Sequence, residues 1–313
     1  MTASVVVPTL GRPSLGTLLD AIAPGVAKHG FELLVVDDRP GAPEPLDVDA
    51  TVLPGPARGP AAARNVGWRA AKHDWVAFLD DDVVPDPDWA DRLAEDLAAA
   101  GAGVGGVQGV LRVPLPDHRR PTDWERVTAG LADGAWITAD MAYRRDALER
   151  CGGFDERLPR AFREDAELAY RVRREGWTLR RGARRVTHPV RPESPWVSVR
   201  TQRGNADDAL LRRLYGPAWR ERLEIPPGRR PRHVAITVAG LTALAAAAAR
   251  RPRLAALAAL AWAAGTAEFA AARITPGPRD AREVGTMLVT SAVIPPVATF
   301  HYGLGWWRWR ARG

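Results

Sequence analysis

What the chain lacks narrows its reading first. A single cysteine, Cys151, among 313 residues excludes an internal disulfide and fits a reducing compartment. Its neighbours Gly152 and Gly153 suggest a turn, not a nucleophile. No Gly-x-Gly-x-x-Gly follows the first strand-like segment, which disfavours a dinucleotide fold, and the absence of Gly-x-x-x-x-Gly-Lys excludes a P-loop. Lysine occurs only as Lys28 and Lys72, so arginine carries nearly all the positive charge. That bias looks like genomic base composition and says nothing about function. A strand-like run begins at Ser4, so no secretory signal is expected ahead of the fold.

The net charge of +7 is unevenly placed. Residues 228–313 hold twelve arginines against Glu268, Asp280 and Glu283, while the preceding 227 residues hold 32 basic and 34 acidic groups. A nucleic-acid binder would carry its basic excess on the folded domain. Here the excess edges an apolar tail, so the expected partner is a membrane surface or bilayer and no nucleic acid. Three tail segments are apolar: His233–Ala249, Leu254–Ala272 and Val284–Leu304, the last interrupted by Pro295-Pro296. A spanning helix needs about 20 apolar residues, and these lean on alanine. They fit either weak transmembrane helices or helices lying in the cytoplasmic interface, and arginine counts do not orient them. A soluble helical domain is the remaining alternative. Trp306, Trp307 and Trp309, interleaved with Arg308 and Arg310, read as an interfacial anchor.

The first 227 residues are organised around Trp75–Pro85. There an apolar run, Val76-Ala77-Phe78-Leu79, meets Asp80, Asp81 and Asp82. The run reads as a buried strand that stops where the carboxylates begin. Two like charges about 4 Å apart repel by roughly 4 kcal/mol at an effective dielectric near 20. Three in a row call for a counterion, a helix N-terminus or solvent, and a hard divalent cation is the most direct answer. A solvated acidic turn is the plainer reading.

Further strands are expected at Ser4–Val7, closed by Pro8-Thr9, at Phe31–Val36, ending in Asp37-Asp38, and at Ala50–Leu53. Leu15, Leu18, Leu19 and Ile22 recur at helical spacing until Pro24-Gly25 break the pattern. Pro60 opens a helix over Ala61–Lys72, and Trp89, Leu93 and Leu97 share a helical face. Alternating strands and helices of this length predict an α/β fold, a mostly parallel sheet flanked by helices. Ligands of such sheets sit beyond the carboxyl ends of the strands, where these polar residues collect.

Val5-Val6-Val7-Pro8-Thr9, Val35-Val36-Asp37-Asp38, Ala63-Arg64-Asn65-x-Gly67 and Phe78-Leu79-Asp80-Asp81-Asp82, in this order and spacing, resemble the motifs of family 2 glycosyltransferases with the GT-A fold. The resemblance covers about residues 3–220. It implies a donor site in which Pro8 and Thr9 line the nucleoside pocket and Asp37 or Asp38 meets base or ribose. Arg12 is grouped with these nucleotide contacts. It further implies that Arg64 holds the diphosphate, that Asp80 and Asp82 form an Asp-x-Asp pair for Mg²⁺ or Mn²⁺, and that Asp81 helps place nucleotide or sugar. Arg64 as a surface ion pair and Asp38 as a strand-end cap are the structural alternatives.

Beyond Gly101–Gly106, read as a flexible turn, strands are expected at Val107–Val113 and Ile137–Tyr143. A short helix over Arg144–Cys151 stops at Gly152-Gly153. Glu164-Asp165 open a helix that runs from Ala166 to Gly176, where they would cap its dipole. Gly152-Gly153-Phe154-Asp155-Glu156 followed by Glu164-Asp165 resembles the family's acceptor segment. The resemblance implies Asp165 as catalytic base and Glu164 as an orienting residue, with Trp136 and Phe154 beside the sugar or in the core. His188 is implied as a further metal ligand or phosphate contact, although a lone histidine is more often structural. Asp140 stands where relatives often carry a neutral residue, and an added carboxylate there bears on sugar or acceptor choice. Ser198–Leu214 reads as one arginine-faced helix.

The expected architecture is a catalytic domain over 1–227, its nucleotide half about 1–106 and acceptor half about 107–227, followed by a helical region over 228–313. The expected activity is metal-dependent, inverting transfer from a nucleoside-diphosphate sugar to an acceptor hydroxyl, lipid-linked or on a cell-envelope glycan. The location expected is the cytoplasmic face of a membrane. A sugar-1-phosphate nucleotidyltransferase is the second reading, and only Gly11-Arg12-Pro13 stands where its glycine-rich basic loop would follow the first strand. A non-catalytic membrane scaffold is the third.

Overall fold

A computed structural model describes residues 2–41 and 44–310. Chain contacts group them into two compact units: residues up to Pro114 with Ala129–Val190, and Leu115–Thr128 with the chain from Arg191 onward.

The elements begin as β1 (Ser4–Thr9), α1 (Ser14–His29), β2 (Glu32–Asp37), β3 (Thr51–Pro54), α2 (Pro60–Ala70), β4 (Trp75–Leu79), β5 (Val84–Pro85) and α3 (Trp89–Ala98). They continue as β6 (Val104–Arg112), α4 (Asp123–Ala129), β7 (Asp140–Arg144), α5 (Arg145–Cys151), α6 (Glu164–Arg174) and β8 (Thr178–Thr187). The eight strands form one sheet in the order β3-β2-β1-β4-β7-β6-β8-β5. β7 runs antiparallel to β4 and β6, and β5 antiparallel to β8; the remaining pairs are parallel. The expected mostly parallel sheet is present, with one reversed strand at its centre.

Strand alternation builds two cores. Val5, Val7, Ala77 and Leu79 face α1 and α3, where Leu18, Ile22, Leu93 and Leu97 are buried. Val6, Val76 and Phe78 face α2, α5 and α6. Gly67 lets α2 press on β1: a Cβ there would lie 2.2 Å from Val6 Cγ1.

Three local expectations are corrected. Helix α1 runs through Pro24-Gly25 to His29; burial of Val26 outweighs the proline defect, and Gly30 at φ 63° ends the helix instead. The glycine-rich stretch is turn only over residues 101–103, since β6 already starts at Val104. Gly105 and Gly106 serve close packing there: their Cβ atoms would lie 2.6 Å from Trp177 and 2.7 Å from Met141. Ser198–Leu214 is not one helix but α7 (Val197–Arg200), a 3₁₀ turn (Thr201–Gly204) and α8 (Asn205–Tyr215), with the break at Gly204.

The second unit continues with α9 (Trp219–Arg222), α10 (Arg230–Ala248), α11 (Pro252–Ile274) and α12 (Ala281–Trp309). The last three match the apolar segments and are long and apolar enough to cross a membrane. α12 passes uninterrupted through Pro295-Pro296, where buried Ile294, Pro295 and Ala298 hold it by packing. Of the tail arginines, Arg312 lies outside the described residues. α4 joins this unit through an ion pair of Asp123 with Arg273 at 2.7 Å. A capping box starts α4: the Thr122 amide donates to Glu125 Oε2 at 2.7 Å, and the Glu125 amide to Thr122 Oγ1 at 3.3 Å.

Candidate active site

β1, β2 and β4 are parallel, so their carboxyl ends share one edge of the sheet. Thr9 pairs with Asp37 in register, and Asp38 and Asp80 follow the ends of β2 and β4. The strand-end residues singled out in the sequence therefore share a rim, and their hydrogen bonds give each a different task.

Asp81 is buried and both its oxygens are occupied. Thr9 Oγ1 donates to Oδ2 at 2.6 Å, and an Arg12 nitrogen donates to Oδ1 at 2.7 Å. This carboxylate ties the end of β1 to the end of β4. Asp38, also buried, accepts from the amides of Ala57 at 2.6 Å and Gly59 at 2.9 Å, so it fixes the loop that enters α2. Asp37 forms a two-pronged pair with Arg39, at 2.8 and 2.7 Å, and the hydrogen bond to that guanidinium holds its carboxyl below the usual range. Pro8 lies within β1 opposite Val36.

Arg64 lies on α2, 2% exposed, and bridges two segments: it donates to Asp80 Oδ1 at 2.7 Å and to Glu164 Oε1 at 2.9 Å. Glu164 and Asp165 open α6. Arg163 before them sits at φ 78°, a left-handed backbone that costs a non-glycine residue about 1–3 kcal/mol and often marks functional turns. The Ala166 amide donates to Asp165 Oδ1 at 2.7 Å. Glu164 is buried, and its Oε2 has no hydrogen-bond partner among the described residues. Burial, then the neighbouring Asp165 charge, raises the Glu164 carboxyl well above its ordinary value, against the pull of Arg64. Burial likewise raises Asp165; the Ala166 amide and Arg64 oppose it, and the Asp80 charge adds to it. Asp80 and Asp165 thus belong to one electrostatic cluster, joined through Arg64.

On the other side of the aspartate run, His188 Nε2 lies 3.7 Å from Asp82 Oδ1, and its Nδ1 lies 3.2 Å from the Pro189 carbonyl. Both residues are buried. Among the described residues no three His, Cys, Asp or Glu side chains form a cage for an ion. Asp82 and His188 are a hard-oxygen and imidazole pair, which fits an ion that draws its other ligands from phosphate and water. Asp80 and Glu164 share the guanidinium of Arg64, and Arg64 and Arg163 both act on Asp165.

Two structural roles were not read from the sequence. Asn65 Nδ2 donates to the Phe154 carbonyl at 2.9 Å, and its Oδ1 accepts the Phe154 amide at 2.8 Å, so it anchors the turn that leads towards α6. Its place beside Arg64 on the first turns of α2 was the available signal. Arg163 is the second, and nothing in its residue type announces a positive φ.

Of the two places left open for Phe154, the core is the one it takes, and the role suggested for Asp140 is corrected. Phe154 is core: its ring packs edge-on to Phe78 at 5.3 Å and is 3% exposed, so it does not flank a sugar. Trp136 is half-buried, its backbone at φ 65° and its amide bonded to Gln108. Asp140 is fully buried, held by Arg184 at 2.7 Å and Trp89 at 3.1 Å, with Arg184 also paired to Asp96 at 3.1 Å. The Asp140 carboxylate is therefore the partner of a buried arginine. Burial pushes the Cys151 thiol up to about 11, in line with a turn residue that is no nucleophile.

A mostly parallel α/β domain with an acidic rim at its strand ends defines the class, the GT-A type. Residues 4–152, just under half of the chain, match the family model described as Glycosyl transferase family 2. The pre-mycofactocin glycosyltransferase of Mycobacterium tuberculosis is 29% identical over 170 residues, 49% of this chain and 36% of that protein. The succinoglycan biosynthesis protein ExoO of Rhizobium meliloti is 37% identical over 102 residues, 29% of each chain. The chain therefore spans well under half the length of either relative. Among solved structures, glucosyl-3-phosphoglycerate synthase from Mycobacterium tuberculosis is similar over 72% of this chain and 80% of that one, at 20% identity and a TM-score of 0.47.

Proposed function

We propose that this chain is a metal-dependent, inverting glycosyltransferase that moves a sugar from a nucleoside-diphosphate sugar to an acceptor hydroxyl. One observation carries the reading: Arg64 links Asp80, behind the strand that ends the donor side, to Glu164 beside Asp165 at the head of α6. Direct displacement at an anomeric carbon needs a base on one side and a stabilised leaving group on the other. The cluster supplies carboxylates for both.

In this reading Thr9, Arg12 and Asp81 shape the nucleotide end of the cleft, and Asp37 and Asp38 fix the loops around it. Asp82 and His188 hold Mg²⁺ or Mn²⁺, with Asp80 beside them on Arg64. The ion, when bound, neutralises charge on the departing diphosphate. Asp165 takes the proton of the acceptor hydroxyl; its raised pKa makes it a stronger acceptor than an ordinary aspartate. Glu164 and Arg64 hold Asp165 and the sugar in line. The domain division at about residue 227 is kept as a division of labour, with donor and acceptor chemistry before it.

The apolar helices support attachment to a membrane, with its cytoplasmic face the proposed side, and a succinoglycan biosynthesis protein among the relatives supports a glycan acceptor, proposed to be lipid-linked or part of the envelope. The test is a thermal-shift screen of nucleotide sugars with and without Mn²⁺, followed by donor-turnover assays on hits. Metal-dependent stabilisation by a nucleotide sugar supports the reading, and failure of every nucleotide to bind with metal present would sink it.

A further inference from the structure

We propose that α10 and α11 cross the bilayer as a two-helix hairpin while α12 lies across the hairpin's mouth in the membrane interface. The chain then leaves α12 on the side where α10 begins. This deepens the membrane reading above and rests on it.

The mouth is defined by side chains. Glu268 near the end of α11 is ion-paired with Arg229 and, at 3.3 Å, with Arg232 at the start of α10. The rings of His233 and Phe269 meet with centroids 4.9 Å apart. The start of α10 and the end of α11 are therefore level with one another.

α12 stays at that level. Arg273, in the last turn of α11, donates to Thr290 at 2.8 Å and Ser291 at 3.1 Å. Further along, Thr299 meets Thr237 at 3.3 Å, and Tyr302 lies under the guanidinium of Arg230, 4.4 Å from its ring centroid. From residue 290 to 302 a helix advances roughly 18 Å. A third span beside the hairpin would by then be more than halfway through a core of about 30 Å. Instead Tyr302 sits beside the first residue of α10, so α12 has travelled along the mouth from one helix to the other.

Burial follows the same geometry. α12 buries one stripe along its length, including Met287, Thr290, Ile294, Ala298, Gly305 and Trp309. A Cβ on Gly305 would lie 2.5 Å from the Ala206 carbonyl, so the far end of α12 is pressed against α8. α8 carries Asp207, Asp208, Arg212 and Arg213, and a helix packed on it is not surrounded by lipid tails. Arg273 is buried among Asp123, Ser198, Thr290 and Ser291, a polar hub suited to a headgroup level and costly in hydrocarbon.

Past the mouth the hairpin is bare. Leu241, Leu244, Leu257 and Leu260 are exposed, and the tip carries exposed Arg250, Arg251 and Arg253. With 19 and 23 residues, α10 and α11 reach roughly 28 and 34 Å, enough to carry those arginines to the opposite face. Lipid tails are the occupant that fits leucines flanked at both ends by arginine.

The experiment uses the full chain with Cys151→Ala and single cysteines at Arg174 (α6), Arg251 (tip) or Arg310 (after α12), with Arg250→Cys and Trp307→Cys as second reporters. Sealed vesicles of known orientation are treated with a membrane-impermeant maleimide. Labelling of Arg310→Cys from the same face as Arg174→Cys, with Arg251→Cys labelled from the opposite face, is expected. Arg310→Cys labelled together with Arg251→Cys would mean three crossings and overturn the proposal. Arg251→Cys labelled together with Arg174→Cys would overturn it too, since the hairpin would not cross. Recovery of the parent chain in the soluble fraction without detergent would instead remove the membrane reading itself.

Discussion

Arg64 and Glu164, 100 positions apart in the chain, meet at 2.9 Å in a place almost closed to water. The contact joins the first turns of α2 to the first residue of α6, next to Asp165. Removing either partner strands the other in the interior.

Arg64→Ala is therefore expected to destabilise the fold by about 3–5 kcal/mol, the usual cost of breaking a buried pair from one side. A melting curve checks this. The double variant Arg64→Ala/Glu164→Gln should recover part of the loss, and no recovery would mean that the two side chains do not act as a pair.

Asp165→Asn should lower turnover by about 10²–10⁴-fold, the usual contribution of a positioned base. Affinity for the nucleotide sugar should change little, because the proposed nucleotide contacts, Thr9, Arg12 and Asp81, belong to other segments. Single-turnover assays at saturating donor separate the two. A variant that keeps most of its rate removes Asp165 as the base.

The pH dependence of stability should carry the mark of Glu164. Burial raises its folded pKa above the unfolded value near 4.3, so the folded chain holds that proton more tightly than the unfolded chain. The contribution is complete below about 4.3 and is lost as pH rises through the folded value. Glu164→Gln, which cannot ionise, should show a flatter decline of melting temperature across that window. Parallel curves for parent and variant would contradict the assignment.

His188→Ala should weaken Mn²⁺ binding in the presence of a nucleoside diphosphate by about tenfold or more, judged by losses at tuned metal sites. Asp82→Asn should do the same, and titration calorimetry reads both. Unchanged affinity in His188→Ala would leave the histidine a structural role through its contact with the Pro189 carbonyl.

Much of the sheet domain was legible because strand ends and carboxylates coincide in the sequence. Asp38 and Asp80 each follow a strand with a clear apolar run, so the edge on which they lie followed from the parallel arrangement, whereas Glu164 opens a helix whose place is set by its contact with Arg64. What stayed hidden depends on partners far away in the chain. Gly105 and Gly106 look like a loop until Trp177 and Met141 are seen to need the space above them. Asp140 looks like a ligand until Arg184 is found against it, since a buried ion pair is invisible from either residue alone. The reversed direction of β7 likewise leaves no mark on an apolar run of five residues. The composition shift at Gly228 records where arginines and alanines accumulate, whereas the packing boundary at Arg191 records which helices touch.

The stretch Leu115–Thr128 leaves the sheet after β6 and returns before β7, yet its Asp123 is clasped by Arg273. The polypeptide thus passes between the two units three times, not once. A protease nick between Val190 and Arg229 would leave the catalytic portion tethered by that detour, and release would require the α4–α11 clasp to open as well. Any attempt to obtain a free enzyme head by trimming the tail has to contend with the orphaned aspartate it leaves behind.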